Sequence, residues 1–413
     1  MKGSIMLSHD VVIIGGGAAG IATAASLLRR RPNLDIAIVE PRETHYYQPG
    51  FTLIGAGVFR PDQVSRPMAK VMPKGVSWLK TSARRFRPQS NAVILETGAE
   101  LRYRLLIVAT GNKLDFEAIA GLTDTLGRNG VTSNYRFDLA PYTWDLVDKL
   151  EKGQAIFTQP PMPIKCAGAP QKAMYLSCSE WERRDLLAGI DVEFHNAGAA
   201  LFGVPAYVPA LEQTVARYGI DLHLGSNLIA VDGPSRTAVF KSSAGESVRE
   251  FDMLHVTPPQ RGCEVIAESP LADAAGYVEV DQETLQHKRF PNVMAVGDAG
   301  SMPNAKTAAA VRKQAPVAAE NALAILDGDA LNAQYDGYGS CPLTLENGKI
   351  LLAEFGYGGK LLPSFPTWVI DGTKPSHLAW LLKKDVLPPL YWDAMLKGRE
   401  WLAKPHHRPT VAA

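Results

Sequence analysis

Asp10-Val-Val-Ile-Ile14 runs directly into Gly15-Gly-Gly17-Ala18-Ala19-Gly20, a helical pattern follows from Ile21 to Arg30, and Asp35-Ile-Ala-Ile-Val39 ends on Glu40. The first run is short, apolar and β-branched, the composition of a parallel strand buried on both faces. The turn after it has G-x-G-x-x-G spacing. Gly15 permits the tight turn, Gly17 lets the backbone approach a pyrophosphate, and Gly20 lets helix and strand close on one another. The helix N-terminus then offers free N–H groups and the positive end of its dipole to phosphates. Glu40, twenty residues beyond Gly20, is placed to accept hydrogen bonds from a ribose hydroxyl. Strand, turn, helix, strand and acid stand in register, and together they specify a βαβ dinucleotide-binding unit.

Around that unit the chain is 413 residues long, more than one hydrophobic core supports, so two or three packed units are expected. A net charge of +1 carries no signal for nucleic acid or for acidic substrates. The four cysteines, Cys166, Cys178, Cys263 and Cys341, are too few for a disulfide scaffold and form no C-x-x-C pair. The histidines show no ligand spacing, so no metal is expected. Met1 to Asp10 lacks the apolar run of a secretory signal, and no stretch reaches the roughly 20 apolar residues of a membrane span. The expectation is synthesis in the cytoplasm and a soluble or peripheral protein.

Two further elements narrow the cofactor. Leu105-Leu-Ile-Val-Ala-Thr110-Gly111 is a strand ending in a small Thr-Gly turn, and Phe290-Pro-Asn-Val-Met-Ala-Val-Gly297-Asp298 is a strand ending in Gly-Asp. In this order the three elements resemble the two-dinucleotide-binding flavoproteins. That resemblance implies FAD at the first site, with Gly15, Gly17, Ala18, Ala19, Gly20, Glu40, Thr110 and Gly111 around it and the Asp298 carboxylate on the ribityl chain. It also implies that a helix opening at Lys306 points its N-terminus and its lysine at the flavin.

The middle of the chain departs from nicotinamide-dependent flavoproteins. A strand at Gln154-Ala-Ile-Phe-Thr158 should open the second nucleotide site, but Gln159-Pro-Pro-Met-Pro-Ile-Lys-Cys166-Ala-Gly-Ala-Pro170 follows, without a glycine triplet. Strands near Asp191-Val-Glu-Phe194, Asp221-Leu-His-Leu224 and Asp252-Met-Leu-His-Val256 keep the wound pattern. The fold is expected to persist there without its nucleotide. Pro170 fits the first turn of a helix, so Cys166 stands just before a helix N-terminus beside Lys165, which favours the thiolate. Cys341, before Pro342, is held extended ahead of a hairpin turning at Asn347-Gly348. Spacing alone leaves open whether these two thiols are paired or are unrelated buried cysteines.

Ile164-Lys-Cys166-Ala-Gly-Ala-Pro-Gln-Lys-Ala-Met-Tyr-Leu176, Tyr338-Gly-Ser-Cys341-Pro342 and Ala353-Glu-Phe355 resemble the sulfide:quinone oxidoreductases, in the two-cysteine branch that includes the mitochondrial enzyme. The resemblance implies that Cys166 and Cys341 begin bridged, directly or through added sulfur, and that hydrosulfide attacks the bridge. Cys341 then keeps the sulfur as a persulfide, Cys166 faces the flavin as a thiolate, and electrons pass through FAD to a quinone. It further implies Phe355 and Tyr391 in the quinone pocket, a small sulfur acceptor of unspecified identity, and leaves a homo-oligomer open. Competing readings are a type II NADH:quinone dehydrogenase-like enzyme and a non-turnover persulfide- or redox-sensing flavoprotein.

The C-terminal stretch from Ser376 to Leu402 mixes Leu, Trp380, Trp392, Trp401 and Tyr391 with lysines, and Pro388 and Pro389 are expected to split it into two helices. Such helices lie in a membrane interface or pack on the core; the recurring tryptophans beside cations favour the interface. The expected architecture is α/β, with two Rossmann-like doubly wound units and a C-terminal membrane-associating region. Residues 8–150 and 277–330 form the FAD unit, 151–276 the second unit with a degenerate nucleotide site, and 331–413 the hairpin and tail. Without a secretory signal, the expected location is the surface of a bacterial-type inner membrane, the face unspecified.

Overall fold

The computed structural model describes residues 6–408; of Met1–Asp10, on which the leader reading rests, the first five lie outside it. The strand Met6–Ile14 pairs in parallel with Ile36–Val39 on one side and Glu100–Val108 on the other. Val76–Leu79 extends the sheet beyond Ile36–Val39, and Val293–Ala295 joins it at Glu100–Val108. The late strand therefore returns to the first unit after the chain has built the second. An antiparallel pair, Ala83–Arg87 and Ala92–Leu95, closes the same sheet; the sequence reading had not identified it. Val11, Val12, Ile13, Ile36, Ile38, Leu106 and Ile107 are fully buried, as strands covered on both faces must be. Helices Ala18–Arg30 and Ala308–Asp327 cover one face and pack on each other.

The second sheet is parallel throughout, in the order Val131–Thr132, Met253–His255, Gly153–Gln159, Ile190–Asn196, Asp221–Leu224. All four strands expected from the sequence are present, within a few residues of the expected limits. An antiparallel meander, Asn227–Asp232, Thr237–Ser242 and Gly245–Glu250, is added beside it. The hairpin of Gly339–Glu346 and Lys349–Phe355 joins this unit's core through Cys341, Leu343, Leu351 and Ala353.

The tail differs from expectation. Residues 377–397 form one continuous helical run, because five-residue π turns, Leu382–Val386 and Leu390–Ala394, flank the Leu387–Pro389 turn. Proline lacks an N–H and its ring clashes with the preceding turn; wider π turns accommodate both. Trp380 and Trp392 are buried and belong to the core. The exposed tryptophans are Trp401 and one the sequence reading passed over, Trp368, which is 86% exposed. No helix among the described residues is long and apolar enough to cross a membrane.

Candidate active site

A cavity of about 940 Å³ lies along the carboxyl ends of the first sheet and runs under the hairpin and tail. Its floor is the glycine turn. Gly15 has φ +108°, and a Cβ there would sit 2.4 Å from the Ala109 carbonyl oxygen; a Cβ on Gly20 would sit 1.9 Å from the Gly15 oxygen. A Cβ on Gly17 would meet nothing within 4 Å, so the space in front of Gly17 is open to a ligand. Helix Ala18–Arg30 starts there with no side-chain cap, leaving its first N–H groups toward the cavity. Glu40 accepts from Gly16 N–H through Oε2 and from Arg42 N–H through Oε1, each at 2.8 Å. A carboxylate has about four acceptor positions, so both oxygens retain capacity for ribose hydroxyls. Thr110, Gly111, Gly297 and Asp298 line the same cavity. The Asp298 carboxylate receives no hydrogen bond among the described residues, and burial raises its pKa against the pull of Lys306 and Lys165. A glycine cradle, an acid and an unpartnered carboxylate in one groove fit a dinucleotide flavin.

Lys306 lines the cavity, but its ammonium donates to the Asp298 and Gly300 carbonyls, at 2.9 Å each, and lies 4.3 Å from the centroid of Tyr277. It clamps the Gly297-Asp298 turn. The helix expected at Lys306 begins instead at Ala308, capped by the Thr307 hydroxyl.

Cys166 lines one wall of the cavity and meets Cys341, which is buried behind it, although 175 residues separate them. Cys166 sits at φ +48°, a left-handed conformation that costs a non-glycine residue roughly 1 kcal/mol or more. Its neighbours hold it there. Its N–H donates to the Lys306 carbonyl, its carbonyl accepts from Ala169 N–H, and the Tyr135 hydroxyl donates to the Lys165 and Cys166 carbonyls. Lys165 N–H donates to Gln260, from the Thr257-Pro-Pro turn. The helix opens at Ala169 with Pro170 in its first turn, placing Cys166 ahead of the N-terminus. Cys166 Sγ lies 3.5 Å from Cys341 Sγ. Gly168 permits the approach, since a Cβ there would come within 2.6 Å of the Cys341 sulfur.

Electrostatics split the pair. The hydrogen bond from the Cys341 thiol, with the Lys172 ammonium at 3.0 Å, holds the Cys166 thiol well below the usual range despite burial. The same hydrogen bond and burial push Cys341 well above it. Burial works against the charge on Lys172, yet the two sulfurs raise its pKa. Lys383, also buried, is pushed well down by burial and by Lys172, and it donates to the Thr344 hydroxyl at 2.7 Å. Sequence spacing had not singled out Lys172, Lys383 or Tyr135. Only Lys172 carried a local signal: it lies in the helix turn that starts beside Cys166. Cys178 is buried and its thiol raised by burial. Cys263 lines the cavity, 3.7 Å from the Gly111 carbonyl, and burial raises it too.

The chain matches the family model described as pyridine nucleotide-disulphide oxidoreductase over residues 9–157. It is 41% identical to the mitochondrial sulfide:quinone oxidoreductase of Dictyostelium discoideum over 95% of this chain and 87% of that protein. Against the mitochondrial sulfide:quinone oxidoreductase of Mus musculus it is 39% identical, covering 94% and 87%. The chain belongs to the sulfide:quinone oxidoreductase family. As a member of that family it is an FAD-dependent oxidoreductase. The crystal structure of the sulfide:quinone oxidoreductase from Aquifex aeolicus superposes with a TM-score of 0.81 over 95% of this chain and 92% of that one, at 20% identity, which establishes the shared α/β fold.

The two aromatic positions expected at the quinone, Phe355 and Tyr391, stand differently toward the cavity. Strand alternation turns Phe355 to the Cys341 side of the hairpin, where it packs edge to face on Phe202 at 5.7 Å, away from the cavity wall. The side chain presented to the cavity is its neighbour Glu354. Tyr391 does line the cavity, but beside the nucleotide turn. His45 donates through Nδ1 to the Gly16 carbonyl at 3.2 Å, and burial holds its pKa down at about 4. Its neutral Nε2 therefore accepts from the Tyr391 hydroxyl, at 2.6 Å. Tyr391 thus ties the tail to the glycine turn.

Proposed function

We propose that this protein oxidises hydrosulfide at the Cys166–Cys341 pair and passes the electrons through FAD to a quinone in the same cavity. The observation that carries this reading is the pair of sulfurs 3.5 Å apart with one ammonium on both, Lys172 Nζ lying 3.0 Å from Cys166 Sγ and 3.7 Å from Cys341 Sγ. Hydrosulfide attacks the bridge between the two cysteines; its sulfur bonds to Cys341 as a persulfide, and Cys166 leaves as a thiolate. Lys172 stabilises the charge that appears on Cys166 in that step. A small acceptor removes the outer sulfur of the persulfide. The bridge re-forms as the two thiolates give up two electrons; FAD, when bound, would supply the two-electron relay from the cysteines to the quinone. Gly15, Gly17, Ala18, Ala19, Gly20, Glu40, Thr110, Gly111, Gly297 and Asp298 are proposed to hold FAD, with Lys306 fixing the turn that carries Asp298. The units proposed to share this work are residues 8–150 with 277–330 for FAD, 151–276 for the Cys166 loop, and 331–413 for the hairpin and tail.

The loop after Gly153–Gln159 offers no glycine triplet to a second dinucleotide, so NADH is not proposed as the electron donor. Anaerobic titration of the yellow protein separates the readings. Sulfide is expected to bleach the flavin absorbance with NADH leaving it unchanged, and a quinone analogue is expected to restore it. Bleaching by NADH alone would overturn the assignment.

We also propose that the protein docks on a membrane surface. Val386, Trp401 and Leu402 are exposed and at the same time line the cavity, so its mouth is rimmed by apolar side chains facing solvent. Trp368, Val369, Leu378 and Leu381, also exposed, lie in the segments beside it. Exposed aromatic and aliphatic side chains of this kind suit the headgroup boundary, and a quinone dissolved in lipid would enter without crossing water. A Trp368→Ser, Leu378→Ser double variant should lose roughly tenfold or more in cosedimentation with lipid vesicles, since burying one large apolar side chain is worth about 1.5–3 kcal/mol. Its turnover with a short-chain, water-soluble quinone should match the parent. Undiminished vesicle binding would remove these residues from the docking surface.

A further inference from the structure

The hairpin 339–355 divides its side chains between two compartments by strand alternation. Cys341 is paired with Ala353 and Leu343 with Leu351, and these four are buried against the core of the second unit. Ser340 is paired with Glu354 and Pro342 with Leu352, and these four line the cavity. One residue therefore separates the sulfur that reacts from a carboxyl on the opposite face of the same two strands.

Glu354 is 4% exposed. The hydroxyls of Tyr338 and Ser364 both donate to its Oε1 at 2.5 Å, and Ser364 N–H donates to Oε2 at 3.0 Å. The two hydroxyls lie 3.3 Å apart, and both residues line the cavity. The charged groups facing the cluster are Arg312 and Lys313 from helix Ala308–Asp327. Neither forms an ion pair with Glu354: the Arg312 guanidinium donates to the Trp401 carbonyl, and the Lys313 ammonium stands 5.6 Å from the Tyr338 ring centroid. Hydroxyl partners accept as readily as they donate, so the same heavy-atom arrangement accommodates the carboxylate and the carboxylic acid. No earlier step in the sulfur chemistry needs this group.

We propose that Glu354 hands a proton to the quinone during its reduction and is re-protonated through Ser364 and Tyr338; this rests on the quinone reading given above. Quinone becomes quinol by gaining two electrons and two protons. The reduced cofactor, when bound, would supply two electrons and one proton. The second proton comes from Glu354, whose O–H bond breaks as the quinol O–H bond forms. The carboxylate then takes a proton from water by way of the Ser364 hydroxyl.

The test isolates the oxidative half-reaction. The holoenzyme is reduced with dithionite, independently of sulfide, and mixed with decylubiquinone or with ferricyanide, which takes electrons without protons. Glu354→Gln is expected to slow reoxidation by decylubiquinone roughly 10²-fold, the scale of a lost general acid, with reoxidation by ferricyanide unchanged. Glu354→Asp should recover part of the quinone rate. Redox-difference infrared spectra should show a carboxylic acid C=O band in the parent that Glu354→Gln lacks. An undiminished quinone rate would overturn the proposal, as would an equal loss with both acceptors, which would make Glu354 a structural residue of the flavin pocket. Parent protein that is reduced yet not reoxidised by decylubiquinone would overturn the quinone reading itself, and this proposal with it.

Discussion

Cys166→Ser and Cys341→Ser are each expected to lose sulfide-dependent quinone reduction by a factor on the order of 10³ or more, the scale seen when a covalent nucleophile is removed. The reason is chemical before it is steric. Serine cannot form the bridge that hydrosulfide opens, and its hydroxyl carries no thiolate for Lys172 to stabilise. Both variants should remain yellow, because neither sulfur touches the glycine turn or Glu40. Both should also be reoxidised normally by quinone after dithionite reduction. Alkylation of the reduced parent adds a direction that a structural role would not produce. Cys166, held down by the Cys341 hydrogen bond and by Lys172, should react at neutral pH. Cys341, raised by its hydrogen bond to Cys166 and by burial, should resist. In Cys166→Ser the neighbouring thiolate is gone and Lys172 has one sulfur left to face. The pH at which Cys341 labels should therefore fall. Retained sulfide turnover in either variant would sink the scheme.

The parts of the site that were readable from sequence are those written in consecutive residues. Gly15 to Gly20 with Glu40, and Cys166 ahead of Pro170, are local patterns, and local backbone geometry follows from them. Lys172 and Lys383 are two of many lysines until the fold brings them to two sulfurs 175 residues apart. The facing of Phe355 was illegible for a different reason. A strand has a side-chain period of two, so register with Cys341 decides that Glu354 faces the cavity and Phe355 the opposite side, and composition does not give that register. The tail failed on composition: three tryptophans beside cations read as interfacial, but composition says nothing about which face a helix buries. Trp380 and Trp392 proved to be core, while Trp368, in a loop without helical pattern, is exposed. Prolines 388 and 389 read as breaks because proline disrupts a helix interior; the chain holds them in one short helical turn flanked by π turns, which no local signal announces.

Gly20→Ala and Gly17→Ala are expected to abolish or cripple FAD retention for two separable reasons. At Gly20 the added Cβ would lie 1.9 Å from the Gly15 oxygen and 3.2 Å from Ile13 Cγ2. Both neighbours belong to the strand and turn on which helix Ala18–Arg30 rests, and neither is a flexible side-chain end. The helix must move off the strand, which costs stability on the overpacking scale of roughly 1–3 kcal/mol and withdraws its N-terminal N–H groups from the phosphates. At Gly17 the Cβ meets no protein atom within 4 Å. That variant should fold and melt like the parent stripped of flavin, yet its methyl group occupies the space where the pyrophosphate approaches the backbone. The expected pattern is a colourless Gly20→Ala protein with a lowered melting temperature. Gly17→Ala should show an apoprotein melting temperature equal to the parent's and far weaker stabilisation by added FAD. Flavin content after gel filtration and melting curves with and without FAD measure both. A fully yellow Gly17→Ala protein would mean that the pyrophosphate does not lie against this turn.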